Sequence, residues 1–378
     1  MGIIVDFIAY ITSFCLGLCD WLGASVLRND LFFTDPHFDE LRALKCEELM
    51  LSDIPFNHAS FWTSVNVSRR HELEGVSNGL AYAVFELSGP SPAASVLQFD
   101  ESSVFRAQIV VPGTCSDAED LGDLEVLSLL CKPILQVAIL LPATGDVGFG
   151  TRRKELAIPL CTHVSNAAFT ACVMLQAPFY GQRRPKMWKG KTSLPTVDAL
   201  FAQSTGIVVE ARMLAAMCMD LLGMRRVAFA GSSYGGAMAT LAGLTYHRNA
   251  GVCSRCGCDS PMVPFTSHKS VLSTGVDWSV QDRANLLKML SPMSVFALLE
   301  FANSRKTRRV GIFLDARHDH FVLKEPAEAL VRGFSMAENS VVLDRLQLIG
   351  GHGTALFGYF SSHKTFISSI RRVLECIE

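Results

Sequence analysis

Serine 233, aspartate 319 and histidine 352 follow one another in the order in which one large class of acyl-transfer enzymes carries its nucleophile, acid and base. The serine lies in Gly231-Ser232-Ser233-Tyr234-Gly235, which fits G-x-S-x-G. That pattern is common by chance, and its surroundings carry the weight. A β-rich apolar run at 227–230 leads in, and a helical run rich in small residues at 235–239 leads out. A sharp strand-to-helix turn lifts a serine out at the tip of a sheet, and it needs small residues where the two backbones approach. Tyr234 would open the helix, so its backbone N–H can donate to an oxyanion. Ser232 competes for the role but lacks the glycine spacing. The plain alternative is an ordinary Gly/Ser turn.

A serine so placed requires an acid and then a histidine downstream. The apolar strand candidate 310–314 is followed by Asp315-Ala316-Arg317-His318-Asp319-His320. Asp319 sits far enough past the strand to reach an imidazole, and Asp315 is the runner-up. The strand candidate 341–348 leads into Gly350-Gly351-His352-Gly353, a histidine set among glycines in a late loop. His352 would take the Ser233 proton and return it to the leaving group, while Asp319 fixes the imidazole tautomer. His318 and His320 read as neighbours of the acid. A second oxyanion donor is expected from Leu141-Pro142-Ala143-Thr144-Gly145-Asp146, with the Thr144 N–H first and Gly145 next.

Two basic clusters, Arg152-Arg153-Lys154 and Arg183-Arg184-Pro185-Lys186, follow successive strand candidates. Either they form a solvated face, or Arg152, Arg153, Arg183 and Arg184 receive an anionic group such as a phospholipid headgroup.

The elements that must position these residues alternate regularly. Apolar, strand-like runs at 104–111, 135–141, 171–176, 226–230, 310–314 and 341–348 are interleaved with helical patterns at 197–222, 234–246 and 358–375. Continuous apolar strands alternating with helices imply α/β architecture, a mostly parallel sheet covered on both faces. Chemistry then gathers beyond the carboxyl ends of the strands. The 378 residues are 49% apolar with a formal net charge of −2, which gives no footprint for nucleic acid. Residues 40–378 read as one domain, with 261–308 a candidate short cap. The 12 cysteines are scattered, mostly in apolar surroundings. Cys253, Cys256 and Cys258 could be metal ligands but lack a second pair at zinc-finger spacing, so a cysteine-rich strand and turn is the expectation. The reaction requires no metal or organic cofactor.

Residues 1–30 form an apolar N-terminal segment. Its stretch 7–19 would span only ~20 Å as a helix, against a hydrocarbon core of about 30 Å. With no basic n-region before it, a cleaved secretory signal is not expected. A buried helix, an interfacial anchor making peripheral membrane contact, and a tilted span compete, the span last.

With these residues in hand, the chain resembles the alpha/beta-hydrolase domain-containing protein 18 family. The likeness rests on Thr144-Gly145-Asp146 before Arg152-Arg153-Lys154, on Ala177-Pro178-Phe179-Tyr180-Gly181-Gln182-Arg183-Arg184-Pro185-Lys186, and on the elbow. Ser273-Thr274-Gly275-Val276-Asp277-Trp278 and Gly350-Gly351-His352 extend it, over most of the chain from about residue 135. The resemblance implies an α/β-hydrolase fold and serine, aspartate and histidine at Ser233, Asp319 and His352. Vertebrate relatives carry a long insert before the acid-bearing strand that is short here, and the elbow differs at Ser232 and Tyr234. Family members are associated with lipid and mitochondrial membrane metabolism, which implies an intracellular, membrane-associated setting. The expected function is therefore carboxylic-ester hydrolysis through an acyl-enzyme, on a small-molecule or lipid ester and most naturally an acyl lipid. Thioesterase or peptidase chemistry and a non-catalytic membrane-associated scaffold are the alternatives.

Overall fold

The computed structural model describes residues 32–35, 38–52, 64–113, 121–163, 169–261, 263–266, 275–289 and 291–377. The N-terminal segment 1–30, with its three readings, lies outside the described residues. Among these, no helix is long and apolar enough to cross a membrane.

One sheet runs through the described residues. Its strands are β1 (Asn66–Arg69), β2 (Gly75–Ser77), β3 (Leu80–Pro90), β4 (Val104–Pro112), β5 (Gln136–Leu141), β6 (Thr170–Leu175), β7 (Arg226–Ser232), β8 (Ala250–Arg255), β9 (Arg309–Ala316) and β10 (Ser340–Leu348). Their order is β1-β3-β4-β6-β5-β7-β8-β9-β10, with β2 paired to β3. The β1–β4 end is antiparallel. From β6 to β10 every pairing is parallel. Each residue of β5, β6 and β8 is buried, which is why these strands read as unbroken apolar runs rather than alternations. The expected strands lie within about two residues of those observed. β1, β2 and β3 were not among the expected strands, and the carboxyl end of β3 runs into Ser88-Gly89-Pro90-Ser91-Pro92. There Pro90 and Pro92 conceal a strand whose polar Glu86 is balanced by Arg70 and Arg106.

The helices that bear on the site are α1 (Glu40–Leu51), α2 (Val197–Asp220), α3 (Tyr234–Thr245), α4 (Lys324–Met336) and α5 (Ser362–Glu375). One apolar layer joins α2, α3 and α4 to one face of the sheet, and a second joins α5 to the other. α5 buries Phe366, Ile367, Ile370, Val373 and Leu374, the spacing of a one-faced helix. α2 differs, being buried from Val197 to Cys218. A helix enclosed on all sides must neutralise its charges. Asp198 pairs with Arg42, Glu210 with Arg183 at 2.6 Å, and Arg212 donates to the Met50 carbonyl at 2.7 Å.

β5 touches both β6 and β7, so the chain leaves β5 toward one side of the sheet and returns on the other. Such a switch point opens a crevice at the carboxyl ends of the strands. The loop after β5 and the turn after β7 both face it.

Candidate active site

The turn between β7 and α3 is built on contacts that only glycine permits. A Cβ on Gly231 would lie 2.2 Å from the Gly235 carbonyl oxygen, and one on Gly235 would lie 2.7 Å from the Leu141 oxygen. The second contact also brings the loop after β5 against the start of α3. Ser233 stands between them with φ 57° and ψ −126°, a strained conformation for a residue with a side chain. Its N–H donates to the Arg255 carbonyl at 2.7 Å, and its carbonyl accepts from Gly236 at 2.8 Å. Tyr234 is buried, its hydroxyl 2.8 Å from Ser204 Oγ on α2, and burial pushes the phenol's pKa well up. The side chain thus anchors the turn from behind while its N–H heads α3. We expect Gly231→Ala to cost about 3 kcal/mol or more, because backbone and not a flexible side chain must yield. A fall in the denaturant midpoint would register it; an unchanged midpoint would mean that the turn has slack the geometry denies.

The other two residues arrive on loops that prolong the pairing of β9 with β10. Past the strand ends, Arg317 N–H donates to Leu348 O and His318 N–H to Gly350 O, each at 3.0 Å. The next step of this zipper is side chain to side chain: His352 Nδ1 lies 2.7 Å from Asp319 Oδ2. The other Asp319 oxygen, Oδ1, accepts from the N–H groups of Phe321 at 2.9 Å and Val322 at 2.7 Å. Because a carboxylate only accepts, Nδ1 carries the proton and Nε2 is left as acceptor. Ser233 Oγ lies 2.8 Å from Nε2. The Phe321 ring stacks on the imidazole at 5.0 Å between centroids. Asp315, the runner-up acid, is paired instead with Arg345 at 2.7 Å. His318 and His320 do not enter the Asp319–His352–Ser233 chain, and burial lowers the His318 pKa.

A cavity of about 550 Å³ opens at the carboxyl ends of β5, β7 and β8. Its walls include Thr144, Gly145, Leu156, Phe357 and Phe366, and they end at Ser232, one residue short of Ser233. Thr144 and Gly145, the expected second oxyanion donors, therefore face this space. A smaller cavity of about 320 Å³ lies behind Asp319, between β9, β10 and α4.

Of the four arginines expected to receive an anionic group, Arg152 and Arg183 are committed to the protein's own carboxylates, which corrects the expectation for these two. Arg183 is wholly buried, gripping both Glu210 oxygens and donating to the Gln176 and Ser102 carbonyls. Arg152 pairs with Asp146 at 2.5 Å and donates to the Leu140 and Leu175 carbonyls. Arg153 donates to Gln108, and Arg184 to the Phe179 and Ser193 carbonyls. Their clustering in sequence reflects two loops that need stitching to the sheet. Removing one partner of a buried ion pair strands the other, at about 3–5 kcal/mol. Arg183→Met should therefore lower thermal stability sharply and depress hydrolysis of acidic and neutral esters alike. A selective loss on acidic esters would restore the anion-binding role.

Among the described residues one group of potential metal ligands comes together: atoms of Cys256, Asp319 and His352 lie within 4.8 Å of one another. Two of the three are committed to each other, and burial keeps the Cys256 thiol protonated, its pKa raised well above the usual value. Cys253 lies in β8, as expected of a cysteine-rich strand and turn, and it does not join Cys256 and Cys258 in a common ligand set. Phe321 and Arg255 were missed at the sequence level. A lone arginine closing the apolar run 250–253 was the available signal for the second.

Comparison with known proteins agrees with the topology. The family model described as alpha/beta hydrolase domain containing 18 matches residues 100–286, which include Ser233 and end before Asp319 and His352. An acetyl xylan esterase from Paenibacillus sp. R4 aligns with a TM-score of 0.56 and 11% identity, over 91% of this chain and 99% of its own. Acetyl xylan esterase 1 from Thermoanaerobacterium sp. JW/SL YS485 aligns with a TM-score of 0.51 and 13% identity, over 87% and 92%. A search of curated proteins by sequence finds no match. Identities this low carry the fold alone, and the fold is that of the α/β-hydrolases.

Proposed function

Residues 100–286 match the alpha/beta hydrolase domain containing 18 family model, and from that premise we propose that this chain is a serine hydrolase of that family, cleaving a carboxylic ester through an acyl-enzyme. One observation carries the reading: a strained serine whose hydroxyl lies 2.8 Å from an imidazole nitrogen, with the ring's other nitrogen 2.7 Å from a buried carboxylate. A scaffold has no use for a serine held at φ 57° beside an acceptor nitrogen.

In this reaction Ser233 Oγ attacks the ester carbonyl carbon as its proton passes to His352 Nε2. The carbonyl oxygen becomes an oxyanion, received by the N–H of Tyr234 and by one from the Thr144–Gly145 turn. Collapse breaks the bond to the alcohol, which leaves with the proton from Nε2. Water then attacks the acyl group, gives its proton to Nε2 and releases the acid, and Ser233 recovers its hydrogen. Asp319 stays ionised and stabilises the imidazolium formed twice in the cycle.

The apolar side chains around the cavity, Leu140, Leu141, Leu156, Leu356, Phe357 and Phe366, support an acyl lipid as the substrate. Each buried methylene is worth about 0.8 kcal/mol. The test is acid-quenched turnover of 4-nitrophenyl butyrate, octanoate and decanoate. The reading predicts an acyl mass on the Ser233 peptide and a kcat/KM that rises with chain length. Turnover without such an adduct would argue against the acyl-enzyme, and a falling profile against a lipid.

A further inference from the structure

The cavity beside Ser233 has an arginine in its wall that the mechanism does not use. Arg255 ends β8, opposite Ser232 in the β7–β8 register, and is 2% exposed. Its Nε donates to Ser232 Oγ at 2.8 Å and its Nη1 reaches Ser362 Oγ at 3.3 Å, while the guanidinium lies 4.5 Å over the Phe366 ring. These partners are neutral. No carboxylate among the described residues pairs with Arg255. Burial lowers its pKa to about 10, so it remains a cation at neutral pH. Nη2 makes no hydrogen bond among the described residues, and Arg255 is one of the residues that line the cavity.

The other charges around the cavity are matched locally. Asp146 is paired with Arg152 at 2.5 Å, and Glu155 faces His363 at 3.5 Å. The contrast with Arg309 is instructive. That arginine is also buried without a carboxylate, but the carbonyls of Gly243, Ala302, Thr307 and Glu338 close around it. A buried cation is costly unless something compensates it. For Arg309 the protein supplies the compensation; for Arg255 it leaves a donor open on a ligand-sized space next to the nucleophile.

We infer that Arg255 is an anion anchor that selects esters carrying a carboxylate or phosphate close to the scissile bond. The inference rests on the reading of Ser233 as the nucleophile for its link to catalysis, although the anion site stands without it. An anion entering the cavity meets a guanidinium whose orientation is already fixed by Ser232 and Ser362, so little ordering is needed. Because Nε holds the residue next to Ser233, the anchored group sets where the ester lies relative to Oγ. The acid group could belong to the acyl side, as in a dicarboxylate half-ester, or to the alcohol side, as in a glycerol phosphate.

Two measurements test this. In the first, inorganic phosphate is added to wild type, Ser233→Ala and Arg255→Gln while thermal unfolding is followed. Phosphate should raise the Tm of wild type and of Ser233→Ala, and leave that of Arg255→Gln unmoved. An equal rise in Arg255→Gln, or none in wild type, overturns the anchor. In the second, kcat/KM is compared for paired substrates: 4-nitrophenyl hydrogen succinate against 4-nitrophenyl butyrate, and acylglycerol phosphate against acylglycerol. Arg255→Gln should reduce the acidic-to-neutral ratio for one pair by roughly ten- to a hundredfold, the worth of a charge-assisted hydrogen bond. The ratio cancels any loss common to both substrates, and the pair that responds identifies the side bearing the acid. Arg255→Lys should recover part of the ratio. Unchanged ratios for both pairs in folded Arg255→Gln would overturn the proposal. Should that variant not fold, phosphate inhibition of wild-type butyrate hydrolysis decides, its absence counting against the site. Phosphate stabilisation of Ser233→Ala combined with no ester turnover by wild type would refute the hydrolase reading and leave the anion site standing.

Discussion

Ser233→Ala should reduce ester turnover by about 10⁶-fold, leaving only what the oxyanion donors and binding supply. In the proposed mechanism the hydroxyl is the one group that forms the covalent bond, and no neighbour is placed to replace it. Ser232 Oγ is turned away to accept from Arg255 Nε at 2.8 Å. The substitution removes one hydrogen bond, to His352 Nε2, worth about 1 kcal/mol, so the alanine variant should unfold near the wild-type temperature. Glycine at 233 should go further. At φ 57° a Cβ is strained, and relieving such strain returns roughly 1–3 kcal/mol. A variant that is dead as an enzyme and more stable as a protein is the signature of a conformation held for chemistry. Equal activity in Ser233→Ala and wild type would remove the nucleophile from the account.

Asp319→Asn should lower kcat by about 10⁴-fold with little change in structure. Oδ1 already accepts two backbone N–H groups, from Phe321 and Val322, so the asparagine oxygen must stay there. Its NH₂ then faces His352 Nδ1, which has to become an acceptor. The ring proton moves to Nε2, the nitrogen that must take the serine proton, and the base is lost while the geometry survives. Asp315→Asn is the control. That carboxylate is paired with Arg345 at 2.7 Å, and its loss should touch stability and not the chemical step. Rates measured side by side on one neutral ester would separate the two acids. A large loss in Asp315→Asn with a small one in Asp319→Asn would reverse their roles.

Ser233, Asp319 and His352 were legible because each is marked twice in the sequence, by its residue type and by its place after an apolar strand. The glycines of Gly231-Ser232-Ser233-Tyr234-Gly235 announce a close approach of backbones, and the structure puts a would-be Gly231 Cβ 2.2 Å from the Gly235 carbonyl oxygen. The parallel strands were legible for a related reason: burial on both faces leaves no polar alternation to confuse them. The antiparallel β3 was hidden because its half-exposed residues resemble a loop. The arginines were misread for want of partners. Nothing local to Arg183 says that Glu210, on the next long helix, will neutralise it. Arg255 was missed for the opposite reason, standing alone where a cluster was sought. Charge in a sequence reports that a group must be solvated or paired, and only the packed fold says by what.

The most direct measurement treats the purified protein with a fluorophosphonate, which reacts only with an activated serine, and maps the adduct by peptide mass spectrometry. The account predicts one adduct, on Ser233, absent from Ser233→Ala and strongly slowed in Asp319→Asn. Folded protein that takes no adduct, or takes it on another serine, would contradict the claim that the Ser233–His352–Asp319 chain is an activated nucleophile.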